Sequence, residues 1–175
     1  MNLLDFHKIG KNGNPYDIID DKIASYIIEH EHIIIIAGKP YIYKNGVYKK
    51  DEDGNILRYL IKSMIVQELI TIGRINRVFN LIITNHKLAI DAEDVNRYPS
   101  HWINFKNGML DVITDELHEH SYRYLSINQI PHNYVSGLSI EDSTFYDFVQ
   151  SRVTDAENQR MLFEFMGYCM RSCTV

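Results

Sequence analysis

Hydrophobic positions in the first fifty residues alternate between helical and extended spacing. Asn14-Pro15 places an N-cap residue before a proline, and apolar residues then recur every three or four positions, which predicts a helix over residues 15–31. The isoleucine run at 33–36 predicts a β-strand. Asn45-Gly46 lies between two further extended segments, and this dipeptide favours a tight hairpin turn. Two or three strands should therefore follow the first helix.

A broad apolar stripe at helical spacing begins at Asn55 and continues to position 72. Gly73 is a residue type that commonly follows a helix C-terminus, so it predicts the end of this helix. Apolar residues over 75–90 predict a second helix of opposite direction, and the polar segment 91–100 predicts a loop. The middle of the chain should therefore form a helical hairpin.

The second half of the chain again combines a hairpin with helices. Apolar residues on both sides of Asn107-Gly108 predict a second tight hairpin, and residues 122–130 predict a further strand before Pro131. An aromatic face over 144–153 and the capping box Thr154–Glu157 predict two C-terminal helices. This order of elements predicts a single compact α+β domain, in which a helical hairpin and C-terminal helices pack with short antiparallel hairpins.

The composition is that of a globular protein. Apolar residues make up 45% of the chain and charged residues 23%, which argues against disorder. The longest apolar run, Ile33–Ala37, is far shorter than the roughly 20 residues of a membrane helix. The amino-terminal residues lack the basic start of a signal peptide, and Cys169 and Cys173 are too few for a disulfide framework. We expect a cytoplasmic protein without membrane contact, in the bacterial host cytoplasm if the source is a phage.

No catalytic motif stands out in the sequence. Gly38-Lys39-Pro40 has proline where a P-loop needs the hydroxyl of Ser or Thr, and it lacks the upstream glycine. No Gly-x-Ser-x-Gly nucleophile motif occurs, and neither cysteine lies in a recognisable nucleophile context. We therefore assign no catalytic residue to this chain.

Two groups of residues leave a metal site open as an alternative. In a helix, Asp17, Asp20 and Asp21 would share one face, although a solvated acidic first turn is favoured because helix N-termini attract anions. In a strand, His118 and His120 would project from the same face, yet no third ligand can be identified. We therefore assign neither a metal nor a cofactor to this segment.

Charge is unevenly distributed along the chain, whose net charge is −5. Residues 1–87 hold 12 Lys and Arg against 10 Asp and Glu, whereas residues 88–175 hold 6 against 13. A polyanion should therefore meet the first half. On the first hairpin, tyrosines alternate with Lys44, Lys49 and Lys50, so aromatic rings could stack on bases while lysines meet phosphates. The alternative is that these tyrosines are ordinary strand formers and the lysines protect an edge strand.

Arg74, Arg77 and Lys87 complete the candidate nucleic-acid contacts. The two arginines stand one helical turn apart, so they could form a phosphate-binding strip with Lys87 further along. A solvated helix face is the alternative interpretation.

Three segments resemble a known family when they are taken in order. They are Trp102–Val112 with its Asn-Gly turn, Tyr124–Tyr134 with Ile130 in place of the leucine of an "LPxxY"-like close, and Leu162–Met170 with a "GYxL"-like helix end. Together they resemble the domain that precedes the superfamily 3 helicase module in phage and plasmid primase-helicases and in the poxvirus replicative helicase. The motif residues are Asn107, Gly108, Pro131, Tyr134, Gly167 and Tyr168.

The resemblance implies an accessory role beside a motor. The complete protein would be a ring-forming, ATP-dependent DNA helicase, often with a primase domain upstream, and this segment would be a non-catalytic collar domain. Its partners would be DNA and neighbouring subunits, while ATP and magnesium would bind only in the helicase module. We expect an N-terminal extension over residues 1–14 and the helicase-associated domain over 15–175, ending before the ATPase module.

Two other classes of function stay open at this point. One is a purely structural oligomerisation or protein-docking domain without direct DNA binding, which the overall acidity favours. The other is a metal-dependent nuclease that uses the histidines with the three aspartates of the first predicted helix.

Overall fold

A computed structural model describes residues 2–170, and the described chain forms two compact units. The first unit contains residues 2–44 and 48–95, and the second contains residues 45–47 and 96–170. Helices are combined with short antiparallel sheets, so the predicted α+β class is confirmed. Cys173 lies outside the described residues. Within residues 2–170, no helix has the length and apolar content needed to cross a bilayer.

The first unit consists of three helices and two small sheets. Its elements are β1 (His7–Ile9), β2 (Pro15–Ile18), α1 (Asp20–His30), β3 (Ile33–Ile36), β4 (Lys39–Lys44), β5 (Val47–Lys50), α2 (Asn55–Ser63) and α3 (Ile72–Ile83). Strand β1 pairs with β2, and β3, β4 and β5 form a three-stranded antiparallel sheet in that order.

The core of the first unit lies between its helices and one face of the larger sheet. Apolar residues at helical spacing provide a buried stripe on each helix, as expected for amphipathic helices. Alternate residues of the strands, among them Ile33, Ile35 and Ile42, meet this core. The helical contribution comes from Ile23 and Ile27 of α1, Leu57 and Ile61 of α2, and Val78 and Ile82 of α3.

The helix predicted over residues 15–31 is too long at its N-terminus. Pro15–Ile18 is extended and pairs with β1, with Ile18 opposite His7, and the helix begins only at Asp20. The extended segment is stabilised by distant partners, because Ile18 is buried in the core and the carbonyl oxygen of Tyr16 accepts a hydrogen bond from Arg74. Pairing with the preceding strand therefore outweighed the local helix signal.

The helical hairpin is present, but its first helix is shorter than predicted. Helix α2 ends at Ser63, a 3₁₀ turn spans Gln67–Leu69, and α3 starts at Ile72. The backbone N–H of Val66 donates to Nε2 of the buried His7 at 3.1 Å, which holds the connection outside a helix. Gly73 consequently lies in the first turn of α3 rather than after α2.

Both predicted hairpins are present, and the first has Asn-Gly at its turn, whereas the turn of the second lies one residue earlier than predicted. Asn45 and Gly46 have φ values of 53° and 86°, and a tight turn of the mirror-image class needs such left-handed values at both central residues. In the second unit, Phe105 pairs with Gly108, so the turn there consists of Lys106 and Asn107.

The second unit contains one three-stranded sheet and two helices. They are β6 (Trp102–Phe105), β7 (Gly108–Asp111), β8 (Glu116–His118), α4 (Thr144–Arg152) and α5 (Ala156–Cys169). The N-caps are Ser143 and Asp155, so α5 is capped one residue later than the predicted capping box.

The strand predicted over residues 122–130 is wrong. A 3₁₀ turn occupies Tyr122–Tyr124, and Leu125 follows in the left-handed region with a φ of 47°. The buried hydroxyl of Ser126 donates to the carbonyl oxygen of Asn128 at 2.9 Å, a local bond that competes with strand pairing. Within residues 2–170, Ile130 alone of this segment forms a bridge, to Phe105.

Candidate nucleic-acid interface

The first hairpin exposes two lysines without ion-pair partners in the described chain. Lys44 ends β4 and Lys49 lies in β5, and both side chains are exposed. Lys50 differs, because its Nζ lies 2.6 Å from Oε2 of Glu52. This hydrogen bond raises the pKa of Lys50 and lowers that of Glu52. Lys44 and Lys49 therefore keep their charges available to a ligand, and Lys50 shares its charge with a neighbour.

The tyrosines of the hairpin are less available than the lysines. Tyr48 is only 3% exposed, and its ring lies 5.2 Å from that of Tyr43 in a tilted contact. A ring buried in this way packs within its own sheet and has no free face for a base. Base stacking by Tyr48, which the sequence left open, is not supported by this arrangement.

Arg74 is bound to its own chain through several nitrogens. Its Nε donates to Oδ1 of Asp17 at 3.0 Å, Nη1 donates to the carbonyl oxygen of Leu69 at 3.0 Å, and Nη2 donates to that of Tyr16 at 3.3 Å. The planar guanidinium suits such a set of acceptors. Arg74 thereby connects the first turn of α3 to strand β2.

Arg77 forms the second half of the same cluster. Its Nε lies 2.9 Å from Oδ2 of Asp20 and its Nη2 lies 3.3 Å from Oδ1, a two-pronged contact. Asp20 raises the pKa of Arg77 through this hydrogen bond. The two arginines thus neutralise Asp17 and Asp20, so the predicted phosphate-binding strip is an internal ion-pair cluster in the described chain.

Lys87 lies apart from this cluster in the chain. It belongs to a 3₁₀ turn over His86–Leu88, its backbone N–H donates to Oδ1 of Asn85 at 3.1 Å, and its side chain is exposed. Lys87 has no ion pair within residues 2–170 and resembles Lys44 and Lys49 in this respect.

Asp17 should make the stability of the protein depend on pH. The hydrogen bond from Arg74, followed by one from the backbone of Ile18, holds the pKa of Asp17 below its ordinary value. A carboxylate with a lowered pKa in the folded state stabilises that state at neutral pH, and this contribution disappears as the pH falls below about 4. Asp17→Asn should therefore lower the melting temperature at pH 7, and its difference from the wild type should shrink on acidification.

Melting curves for both proteins at a series of pH values would measure this difference. Asp21→Asn provides the control, because Asp21 lies four residues after Asp17, in the first turn of α1, with an exposed side chain. A difference between wild type and Asp17→Asn that stays constant down to acidic pH would contradict the ionic role of Asp17.

Asn107 and Tyr134, two of the motif residues, meet in the second unit. The side chain of Asn107 donates from Nδ2 to the carbonyl oxygen of Tyr134 at 2.9 Å, and its Oδ1 accepts from the Tyr134 N–H at 2.8 Å. The Tyr134 ring lies 5.5 Å from that of Phe105, and its hydroxyl donates to Asp115. This hydrogen bond raises the pKa of Tyr134. The turn of the second hairpin is thus tied to residue 134.

The remaining motif residues divide into two groups. Gly108 begins β7, where an added Cβ would lie 2.7 Å from the carbonyl oxygen of His118, and Pro131 follows Ile130, which forms a parallel bridge to the end of β6. Gly167 and Tyr168 lie near the end of α5, and a Cβ on Gly167 would meet no atom within 4 Å. The structure brings together the motif residues of the hairpin and of the 130–134 segment.

A buried polar network beside this hairpin was not predicted from the sequence. Asn104, in the middle of β6, donates from Nδ2 to the carbonyl oxygen of Gly46 at 2.9 Å and to Oγ of Ser126 at 2.8 Å. Its Oδ1 lies 3.0 Å from Nε2 of His120 and 3.4 Å from Nε2 of Gln129. One feature of the sequence could have indicated this network. An asparagine between apolar residues in a strand is a polar group that is buried and therefore needs hydrogen-bond partners inside the protein.

The histidines of the second His-Glu-His run have structural contacts. His118 stacks on Trp102 with ring centroids 4.4 Å apart and planes 9° from parallel, and His120 belongs to the Asn104 network. Over the part of the chain that the structure describes, no group of three or more His, Cys, Asp or Glu residues is arranged to hold a metal ion.

Comparison with known proteins identifies the family of the chain. The family model described as "D5 N terminal like" matches residues 21–160, most of the chain, including the hairpin and the 130–134 segment. No curated protein matches the chain. The chain therefore belongs to the D5 N-terminal-like family, the domain that precedes the helicase module in phage and plasmid primase-helicases.

Proposed function

We propose that this chain is a non-catalytic accessory domain of a DNA primase-helicase, which contacts DNA through its first unit and associates with other copies in a ring. Membership of the D5 N-terminal-like family over residues 21–160 carries the proposal. It would act in DNA replication in the cytoplasm of the host cell. A purely structural domain without DNA contact is the rival, and the experiment below separates the two.

Three lysines support the DNA contact. Lys44, Lys49 and Lys87 are exposed in the first unit and have no ion pair among the described residues. Lysines in this state can release counterions from a phosphate backbone, which is the main source of affinity that does not depend on sequence. Lys50, Arg74 and Arg77 already hold carboxylates of their own chain, so we give them a smaller share of the contact.

ATP hydrolysis belongs, in this proposal, to the helicase module with its own ATP and magnesium. The only local likeness to a P-loop, Gly38-Lys39-Pro40, supports this assignment. Ala37 and Gly38 form the tight turn between β3 and β4 with φ values of 48° and 74°, and Pro40 is buried. The Nζ of Lys39 donates to the carbonyl oxygen of Glu52 at 3.1 Å, so this lysine is also engaged.

The combined change Lys44→Glu and Lys49→Glu should weaken binding to single-stranded DNA by about tenfold or more at low salt. Each lost phosphate contact should also reduce the slope of log K against log salt by about 0.7. Fluorescence anisotropy with a labelled oligonucleotide at several salt concentrations would measure both quantities.

Lys11→Glu together with Lys106→Glu is the matched control, because it changes the net charge equally at two exposed lysines outside the first hairpin. Equal weakening by both pairs would show a general charge effect rather than a site. Absence of binding by the wild type at low salt would favour the purely structural domain.

A further inference from the structure

A shallow groove lies between two helices of the first unit. It has a volume of about 270 Å³ and is lined mainly by apolar atoms. Tyr59 of α2 and Ile72 of α3 are 71% and 78% exposed, which is unusual for such large residues close together. We call this surface the α2–α3 groove, and its lining includes Arg58, Tyr59, Lys62, Ile72, Ile75 and Asn76.

Helix α5 presents a second unpartnered apolar surface. None of its residues is buried, although it spans 14 residues and carries large apolar side chains. Met161, Phe165 and Tyr168 follow one another at helical spacing, and Phe165 is 63% exposed. We call these three residues the α5 stripe. Glu157 and Glu164 lie along one edge of the stripe at the same spacing.

The two surfaces carry opposite charges. Within residues 55–77, which contain the groove, Arg74 and Arg77 are paired with Asp17 and Asp20, so the positive charge beside the groove comes from Arg58 and Lys62. Residues 141–170, which contain the stripe, hold two Arg and six Asp and Glu, and the pairing of Arg160 with Glu164 still leaves them an excess of negative charge. Arg58 and Lys62 lie directly in the groove lining. An apolar groove rimmed by basic side chains fits an apolar helix face edged by carboxylates, because the contact buries both faces and places opposite charges at the rim.

We infer that the α5 stripe of one copy docks in the α2–α3 groove of the next copy, so that the chains associate head to tail. A contact between two different surfaces of identical chains leaves one of each free at the ends, and such contacts generate rings when the rotation closes. The inference rests on the proposed association in a ring and specifies its surfaces. Tyrosine, the residue type of Tyr59, is enriched among the residues that carry most of the energy of an interface, and phenylalanine, the type of Phe165, is enriched in interfaces generally.

Two single variants test the head-to-tail arrangement. Tyr59→Asp disables the groove and leaves the stripe intact, while Phe165→Asp does the reverse. Each variant alone should lose all species above the monomer, whereas the wild type should form assemblies larger than a dimer as concentration rises. An equimolar mixture should form a one-to-one dimer and nothing larger, because only one competent pair of surfaces remains. Sedimentation velocity at several concentrations distinguishes these species.

Ile113→Asp is the control, since Ile113 is equally exposed but lies outside both surfaces, and it should assemble like the wild type. Melting curves confirm that each variant is folded. A mixture that stays monomeric, a variant that assembles like the wild type, or a monomeric wild type would overturn the inference. If the wild type assembles but the mixture stays monomeric, or a variant assembles like the wild type, these two surfaces are rejected while the proposal of ring association is unaffected. DNA binding by the lysines is measured separately and does not depend on this outcome.

Discussion

Replacing Asn104 with leucine should lower the free energy of unfolding by about 3 kcal/mol, because leucine has a similar size but cannot form the buried hydrogen bonds of the amide. Asn104 is 4% exposed. Without its side chain, the carbonyl oxygen of Gly46 loses its side-chain donor, while the Ser126 hydroxyl and the His120 ring each lose one partner and keep another, the carbonyl oxygens of Asn128 and Phe105. Each buried polar group left unpaired costs about 1–3 kcal/mol.

Urea denaturation would measure this loss, with fluorescence of Trp102 as the signal. Trp102 is the single tryptophan of the chain and lies in the same strand as Asn104, so its emission reports the second unit directly. Asn128→Leu is the matched control, because Asn128 is exposed. We expect the control to stay within about 0.5 kcal/mol of the wild type. A loss below 1 kcal/mol for Asn104→Leu would show that the network contributes little.

Gly108→Ala should destabilise the second hairpin by about 1–3 kcal/mol, the usual range for overpacking. A Cβ at this position would lie 2.7 Å from the carbonyl oxygen of His118 and equally close to the side chain of Leu117. The oxygen belongs to the backbone of β8, so relief requires the strand to move. Denaturation followed by Trp102 fluorescence again provides the measurement.

Gly167→Ala is the control, because it changes another motif glycine whose added Cβ would meet no atom within 4 Å. Alanine favours a helix interior over glycine by roughly 0.5–1 kcal/mol, so this change should leave the stability equal or slightly higher. Comparable losses at both positions would indicate that the glycines share a role unrelated to the packing of β8.

The elements predicted correctly have local signals. The Asn45-Gly46 turn, the presence of a second hairpin, the amphipathic stripes of α2 and α3, and the two C-terminal helices follow from neighbouring residues. The helix prediction was wrong for residues 15–18 because distant residues determine their structure. They pair with β1, and Tyr16 accepts a hydrogen bond from Arg74, 58 residues further along the chain. The strand prediction was wrong for residues 122–130 because hydrogen bonds from side chains to nearby backbone atoms replaced strand pairing.

The candidate nucleic-acid interface shows the same division between features with local signals and features that depend on distant residues. Residue type and local charge indicated the lysines of the first hairpin, but not that Glu52 pairs with Lys50. Spacing along a helix grouped Arg74 with Arg77, yet their partners Asp17 and Asp20 come from a segment 57 residues earlier. Whether a cation is available to a ligand depends on such partners. The sequence therefore identified the candidate lysines and arginines. The fold was needed to distinguish those that are paired with carboxylates from those that are not.

The hydrogen bonds between Asn107 and Tyr134 also indicate which of these two motif residues can be substituted at the lower structural cost. In the described part of the chain, the Asn107 side chain bonds to backbone atoms of residue 134, so it fixes the path of the chain and does not recognise the tyrosine side chain. An aspartate at 107 could accept the N–H but could not donate to the carbonyl oxygen. In a relative with the same backbone path, substitution at position 134 would remove only the contacts of the ring and hydroxyl. Substitution at position 107 would remove the hydrogen bonds that attach the segment around residue 134 to the hairpin.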